Sequence, residues 1–255
     1  MNSVNCFGHQ KLKVYNKSLQ FLAVSDELLA SILCKIAANG HLCRAAESIS
    51  RNIAYASSSW SPKERIVSLG NANGSALECA ACLDVFVAKQ LLKKRDIMAG
   101  KSLLREIVNM LIAMKKIAAD RLKENDSVGY VADRKIYFSH EKLDVYITAL
   151  QFIGWIEGIS EIFTDTSSIS LYTSLDKVST GIVLNIAEGS GRFSNRDRRY
   201  FFVVARSSAF ECVAILDVLK DEEVIKQIEF ETFYTNIEEI SKILFTMIKN
   251  LSAKS

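Results

Sequence analysis

The segment His9-Gln-Lys-Leu-Lys-Val-Tyr15 recurs 131 positions later as His140-Glu-Lys-Leu-Asp-Val-Tyr146. Further along, the tripeptide Leu83-Asp-Val85 recurs 133 positions later as Leu216-Asp-Val218. Such agreement over separate segments, with nearly constant spacing, indicates an internal duplication. We therefore expect the chain to contain two copies of one structural unit.

Composition and periodicity predict that each copy is helical. The 255 residues include one proline and 11 glycines, and 49% are hydrophobic, which favours long uninterrupted helices with a buried core. In the second copy, apolar residues recur at steps of three and four positions. This pattern predicts helices over residues 141–163, 170–188, 195–219 and 228–251. The predicted fold class is all-α, with two tandem antiparallel four-helix bundles related by internal duplication.

The predicted boundaries place the first, diverged bundle at residues 1–124, a linker at 125–139 and the second bundle at 140–255. The start of the third helix is marked by Ser61-Pro62-Lys-Glu64, a capping-box pattern with proline at the first helical position. Ser194 and Asp197 repeat this pattern more loosely in the second copy. The pair Asn39-Gly40 is a typical helix stop, so it predicts the end of the first helix.

Charge is divided unevenly between the copies. Residues 1–126 hold 18 Lys and Arg against 11 Asp and Glu, a net charge of +7, whereas residues 127–255 have a net charge of −4. A basic half can attract polyanions, or it can pair with the acidic half of a neighbouring chain.

The cysteines and the hydropathy pattern indicate a cytoplasmic protein. The six cysteines fall mostly at expected helical core positions, which fits reduced thiols better than a disulfide scaffold. Cys79 and Cys82 form a CxxC pair, but the sequence offers no second pair to complete a zinc site, so we expect both in the core. The sequence has neither a long uncharged apolar run nor a signal-peptide pattern, so no membrane association is expected.

The most distinctive segment is Asn185-Ile-Ala-Glu-Gly-Ser-Gly-Arg192, followed by Phe201-Phe202 and by a third helix that contains Arg206, Ser208 and Glu211. With the opening Glu141-Lys-Leu-Asp-Val-Tyr146, these residues resemble a bacterial family of four-helix bundles. That family comprises the proteins encoded in 23S ribosomal RNA intervening sequences and the accessory variability determinant proteins of diversity-generating retroelements. The resemblance covers about 110 residues of the second copy, and the first copy matches it chiefly through the repeat.

The resemblance implies a non-enzymatic scaffold that forms ring-like oligomers. For the retroelement members it also implies binding to a reverse transcriptase and to nucleic acid. The first copy departs from the family pattern, because Tyr55-Ala-Ser-Ser-Ser59 stands where the second copy has Glu188-Gly-Ser-Gly-Arg192.

Two sets of basic residues are candidates for binding a nucleic acid or a protein partner, because arginine forms bidentate contacts with phosphate. The alternative is that they are solvated or paired with acidic residues. These candidates are Arg192, Arg196, Arg198, Arg199 and Arg206 in the second copy and Lys89, Lys93, Lys94, Arg95 and Lys101 in the first. A further set is expected to form a structural polar network between the second and third helices. This set consists of Asn185, Glu188, Ser208 and Glu211.

The sequence offers no pattern typical of an active site. It contains no nucleophile elbow, no phosphate-binding loop and no set of cysteines and histidines spaced to bind zinc. We therefore expect no catalytic residue, metal or cofactor. The resulting hypothesis is an accessory protein that binds RNA or DNA and a nucleic-acid-processing partner such as a reverse transcriptase. The alternative is a structural module that only associates with itself.

Overall fold

The computed structural model describes residues 7–123 and 138–252. Within these ranges the chain forms eight α-helices and no strand, which confirms the predicted all-α class. The helices of the first copy are α1 (Lys13–Ala30), α2 (Ala37–Ser58), α3 (Pro62–Ala88) and α4 (Lys94–Lys123). Those of the second copy are α5 (Asp144–Gly158), α6 (Thr166–Gly191), α7 (Asn195–Asp221) and α8 (Gln227–Ser252).

The helices confirm the duplication position by position. Helices α2 and α6 end at equivalent residues, and α3 and α7 begin and end at equivalent residues, all at the spacing of 133. Ser61 and Ser194 cap α3 and α7 by accepting hydrogen bonds from the amides three residues later. A left-handed residue follows each of these two helices, Gln90 with φ 58° and Glu223 with φ 56°.

The start of each copy has the same aromatic geometry. His9 lies edge-on to Tyr15 with ring centroids 4.7 Å apart, and His140 lies edge-on to Tyr146 at 4.8 Å. In both copies a short 3₁₀ turn, Gly8–Lys11 or Ser139–Lys142, leads into the first helix. The repeated sequence therefore encodes a repeated local structure.

Three details differ from the predictions. Helix α1 ends at Ala30, and Asn39 lies in the first turn of α2, where its side-chain oxygen accepts from the Ile36 amide. Asparagine here starts a helix instead of ending one. The first helix of the second copy ends at Gly158, and a separate 3₁₀ turn follows it. The capping box at Ser61 is only half formed, because the Glu64 carboxylate accepts from the Ser59 hydroxyl.

Helix α3 is the centre of the molecule. It packs against α2 and α4 of its own copy and also against α6 and α5 of the other copy. From Ser68 to Phe86 nearly every residue is buried, because small residues allow neighbouring helices to approach on several sides. Buried apolar residues of both copies consequently form one continuous cluster. The predicted linker falls largely on residues 124–137, which lie outside the described residues.

The contact between the copies is asymmetric. It joins the third helix of the first copy to the second helix of the second copy, so each copy contributes a different surface. Gly191 lies so close to α3 that a β carbon there would be 3.2 Å from the Gly74 Cα. The Asn73 side-chain amide donates to the Gly191 carbonyl at 2.8 Å. An interface of this kind is heterologous, unlike the self-complementary contact of a two-fold dimer.

Replacing Gly191 by alanine should destabilise the protein by about 1–2 kcal/mol, because the added methyl group would overpack the contact with α3. It would also lie 2.8 Å from the Leu77 side chain. Gly158→Ala is the matched control, since Gly158 likewise ends a helix but has no atom within 4 Å of the added carbon. Urea unfolding of both variants tests this, and equal stabilities would contradict the close contact.

Candidate functional site

The structure divides the predicted basic residues into three groups. Lys89, Lys101 and Arg192 lie at the boundary between the copies and are engaged with acidic or polar partners. Arg198 and Arg206 are half-buried. The exposed members are Lys93, Lys94, Arg95, Arg196 and Arg199.

Arg192 connects the two copies. Its guanidinium group donates to the Asn71 side chain of α3 and to the Glu188 carboxylate of its own helix. It also lies over the Phe201 ring, with the guanidinium carbon 4.6 Å from the ring centroid. Burial and the neighbouring Glu78 carboxylate raise the pKa of Glu188, and the charge of Arg192 opposes that shift. Arg192 therefore contributes to the boundary between the copies and is not free to bind a phosphate.

Lys101 forms a second cluster at this boundary. Its ammonium group lies 2.7 Å from the Asp84 carboxylate of the first copy and 2.7 Å from the Glu141 carboxylate of the second. The Tyr146 hydroxyl donates to Asp84 at 2.8 Å, and burial raises the pKa of both Tyr146 and Asp84. These groups line one side of a cavity of about 830 Å³ between α3, α4 and α5.

Lys89, predicted as part of a basic binding surface, is instead buried at the centre of a third charged cluster. Its side chain is only 1% exposed, and its ammonium group lies 2.8 Å from Glu157 and 3.0 Å from Asp176. Burial disfavours the charged amine, but the two carboxylates overcome that penalty and hold its pKa above the usual value. Lys89 comes from the basic copy and both carboxylates come from the acidic copy. The opposite charges of the two halves therefore pair within the chain, across the boundary between the copies.

Arg206 lies in an exposed groove between α7 and α8. Its guanidinium carbon is 5.0 Å from the ring centroid of Phe210 and 5.4 Å from that of Phe245. The groove has a volume of about 540 Å³. It is lined by Arg199, Val203, Arg206, Ser207, Phe210, Glu211, Phe245 and Ile248. An exposed surface of arginine and aromatic side chains is typical of a binding site.

The residues predicted to form a polar network make mostly local contacts. The Asn185 amide donates to the Gly181 carbonyl of its own helix, and Glu188 bonds to Arg192. Ser208 faces Gly181 across the bundle, and Glu211 is exposed at the rim of the groove. Side-chain contacts between a second and a third helix are found in the first copy, where His41 lies 3.0 Å from the Glu78 carboxylate. There the Ser48 hydroxyl bonds to that of Ser75 and accepts from Asn52.

Two groups of described residues bring together atoms of the types that bind metals. Cys79 and Cys82 are buried in α3, and burial raises the pKa of both thiols, which disfavours the thiolates that a metal needs. The five described cysteines are free thiols. Asp84, His140 and Glu141 have potential ligand atoms within 4.8 Å of one another. The Lys101 ammonium group already forms an ion pair with each of the two carboxylates of that cluster.

Taken together, the fold and the boundary define a tandem four-helix-bundle protein whose two copies share one core. Comparison with family models then identifies the family. The model described as 23S rRNA-intervening sequence protein matches residues 10–113 and, a second time, residues 141–246. The chain belongs to that family, as the resemblance predicted, and the double match agrees with the duplication.

Comparison with curated proteins gave no match, and neither did comparison with solved structures. The family match names the ribosomal RNA intervening sequences and not the retroelement proteins, so the link to a reverse transcriptase stays a prediction. In the described parts of the chain, no helix combines the length and apolarity needed to cross a bilayer.

Proposed function

We propose that this chain is a non-enzymatic accessory protein of the cytoplasm that binds RNA or DNA at the start of α7. Arg196 and Arg199 are exposed there, and neither forms an ion pair with a carboxylate of the described residues. Tyr200 is 63% exposed beside them and can stack on an unpaired base. This contrast with the paired Arg192, Lys101 and Lys89 is the observation that carries the proposal.

The protein partner is a nucleic-acid-processing enzyme. A reverse transcriptase is the class that the family resemblance implies, and a reverse transcriptase gene next to this one would support it. Lys93, Lys94 and Arg95 form a second exposed basic surface at the start of α4. The start of α4 lies at the opposite end of the first copy from the start of α3. The two basic surfaces are therefore separate and can serve different partners.

Replacing Arg196 and Arg199 together by alanine should weaken binding to a single-stranded RNA or DNA at low salt. Each phosphate contact releases condensed counterions, so losing two contacts should reduce the slope of log K against log salt by about 1.4. Fluorescence anisotropy with a labelled 20-nucleotide strand, between about 50 and 200 mM salt, measures both quantities.

The double variant Lys142→Ala/Lys177→Ala is the matched control. It removes the same charge from exposed positions elsewhere in the second copy. If both double variants weaken binding equally, the site at α7 is wrong and only net charge matters. If the unaltered chain does not bind at about 50 mM salt, the chain is a self-associating structural module instead. Light scattering on the same samples separates loss of binding from loss of association.

A further inference from the structure

His140 is buried without a hydrogen-bond partner. Its side chain is inaccessible to solvent, and neither ring nitrogen has a partner among the described residues. Two aromatic rings lie beside the imidazole, with centroids 5.8 Å away for Phe138 and 4.8 Å away for Tyr146. Buried polar groups in native proteins nearly always have a partner, so this imidazole is an exception that needs a reason. The repeat does not require it, because the equivalent His9 is only half-buried.

Two carboxylates lie next to this imidazole. One ring nitrogen of His140, one carboxylate oxygen of Asp84 and one of Glu141 are all within 4.8 Å of one another. Asp84 belongs to α3 of the first copy, whereas His140 and Glu141 belong to the 3₁₀ turn that opens the second. Imidazole and carboxylate groups are the donors that bind zinc and similar divalent transition ions. Burial lowers the pKa of His140, so the ring is in the neutral form that a metal requires.

The spacing of these three atoms suits one ion after a small movement. Ligand atoms bound at about 2.1 Å to one tetrahedral ion lie about 3.4 Å apart, so the three groups need to approach one another by roughly 1 Å. The Glu141 side chain is partly exposed and can make most of this movement. Asp84 and Glu141 also line the cavity of about 830 Å³. A water molecule from that cavity can therefore supply a fourth ligand.

A cation already lies between the two carboxylates. The Lys101 ammonium group is 2.7 Å from Asp84 and 2.7 Å from Glu141, so it holds the place that a metal ion would take. These three groups have a net charge of −1, whereas two carboxylates with one divalent ion are neutral. Arg105, a second cation near Glu141 at 3.9 Å, is largely exposed and contributes less.

Lys101 has room to leave this position. Its side chain lines the same cavity of about 830 Å³, which is open to solvent. Lysine has a flexible four-carbon stem and a strongly hydrated ammonium group, so the side chain can turn into that space when an ion takes its place. The ammonium group is then solvated, and the two carboxylates keep a cation.

We propose that Asp84, His140 and Glu141 bind a divalent transition-metal ion of the zinc class, which displaces the Lys101 ammonium group. The ion has one ligand from the first copy and two from the second, so it joins the two copies at their boundary. The imidazole gains the partner that it lacks. It also selects a transition ion over Mg²⁺, which prefers oxygen ligands. This site is independent of whether the chain binds nucleic acid.

Zinc binding to the full chain tests the site. The exposed Cys34 and Cys43 are first replaced by serine, together with Cys6, so that their thiolates do not bind the ion. In this parent protein, Zn²⁺ at about 100 times its Kd should raise the Tm by about 5–10 °C. Mg²⁺ at the same concentration should leave the Tm unchanged. Equal stabilisation by the two ions would show a site made of carboxylates alone and would overturn the proposal.

Lys101→Met separates the two cations. The variant has no ammonium group to compete with the ion, so it should bind Zn²⁺ about 10- to 100-fold more tightly than the parent in isothermal titration calorimetry. Without metal its carboxylates are unpaired and its Tm should be lower, and Zn²⁺ should restore it. Lys242→Met is the matched control, because it removes an exposed ammonium group of α8 and should leave zinc binding unchanged.

His140→Phe tests the imidazole as a ligand. It should weaken zinc binding about 100-fold, because even the outer partner of a metal ligand contributes about 10- to 100-fold. His9→Phe is the matched control and should bind Zn²⁺ like the parent. Glu141→Gln alters a partly exposed ligand whose equivalent in the first copy is Gln10, and it should also weaken binding. Equal affinities of His140→Phe and His9→Phe would overturn the proposal, and so would a Lys101→Met variant that binds Zn²⁺ no more tightly than the parent.

Discussion

Replacing Lys89 by methionine is expected to cost about 3–5 kcal/mol of unfolding free energy. Methionine fills similar space, but it leaves the Glu157 and Asp176 carboxylates facing each other without a cation. Asp176 is itself nearly buried, at 5% exposure, and it also accepts from the Ala37 amide at the start of α2. A carboxylate in that position cannot easily turn towards water. The whole contact between the copies should therefore weaken.

Urea unfolding at neutral pH measures this loss, because the denaturant midpoint shifts in proportion to it. Lys242→Met is the matched control, since Lys242 pairs with Glu238 at 2.7 Å on the exposed surface of α8. A surface pair of that spacing contributes only about 0.3–0.5 kcal/mol. If Lys89→Met costs less than 1 kcal/mol, the Lys89 cluster is not what joins the two copies.

His140 should make the protein sensitive to mild acid. The side chain is fully buried, and neither ring nitrogen has a hydrogen-bond partner among the described residues. Burial, with a smaller contribution from the Lys101 charge, lowers the pKa of His140 to about 3. An unfolded chain returns this pKa to its ordinary value of about 6.5. The charged and titratable groups beside it are Asp84, Lys101, Glu141 and Tyr146.

The sign of the effect follows from proton binding. Between pH 6.5 and pH 3 the unfolded chain carries a proton on His140 and the folded chain does not, so stability falls as the pH falls. At pH 4.5 this single group should cost about 2–3 kcal/mol relative to pH 7.5. His140→Phe removes this cost. Lowering the pH from 7.5 to 4.5 should therefore raise the stability of the variant relative to that of the unaltered chain by about 2–3 kcal/mol.

Unfolding free energies of both proteins at pH 7.5 and pH 4.5 give the comparison directly. His9→Phe is the matched control, because His9 is the repeat equivalent of His140 but is only half-buried. A His140→Phe variant that differs from the unaltered chain by the same amount at both pH values would show that His140 does not titrate as its burial requires.

Repetition and periodicity made much of the fold predictable. The segment around Tyr15 and Tyr146 and the two serine caps indicated the duplication and the starts of α3 and α7. Hydrophobic spacing then placed the helices of the second copy to within a few residues, apart from the early end of α5. These features are local, so they can be recognised without knowing which helices touch.

The contact between the copies was not predictable in the same way. Lys89, Lys101 and Arg192 resemble ordinary surface residues in the sequence, because their burial depends on acidic partners far along the chain. Periodicity shows that a helix has a buried side, but it does not show which second surface covers it. One signal was present: α3 has Gly70 and Gly74 where α7 has Val203 and Ser207, which indicates that α3 is packed more closely.

The asymmetric contact also explains why the two copies have diverged. In the chain, α3 of the first copy covers α5 and the end of α6 of the second copy, while Trp60 and Phe210, which are equivalent to Phe193 and Leu77, are exposed. The two copies therefore contact different neighbours. Gly74 is needed where helices touch, whereas Arg206 and Phe210 suit an exposed groove.

The central claim is that the two copies form one cooperative unit through α3, and hydrogen exchange tests it most directly. Phe233 is buried in α8, which packs against α5 and α7 of its own copy, and its ring lies against that of Phe152. Phe233→Ala should cost about 3–5 kcal/mol. In native-state hydrogen exchange with increasing urea, this change should lower the opening free energy of the α3 amides as much as that of the α7 amides. If protection falls in α7 and is unchanged in α3, the two copies unfold separately and the claim is wrong.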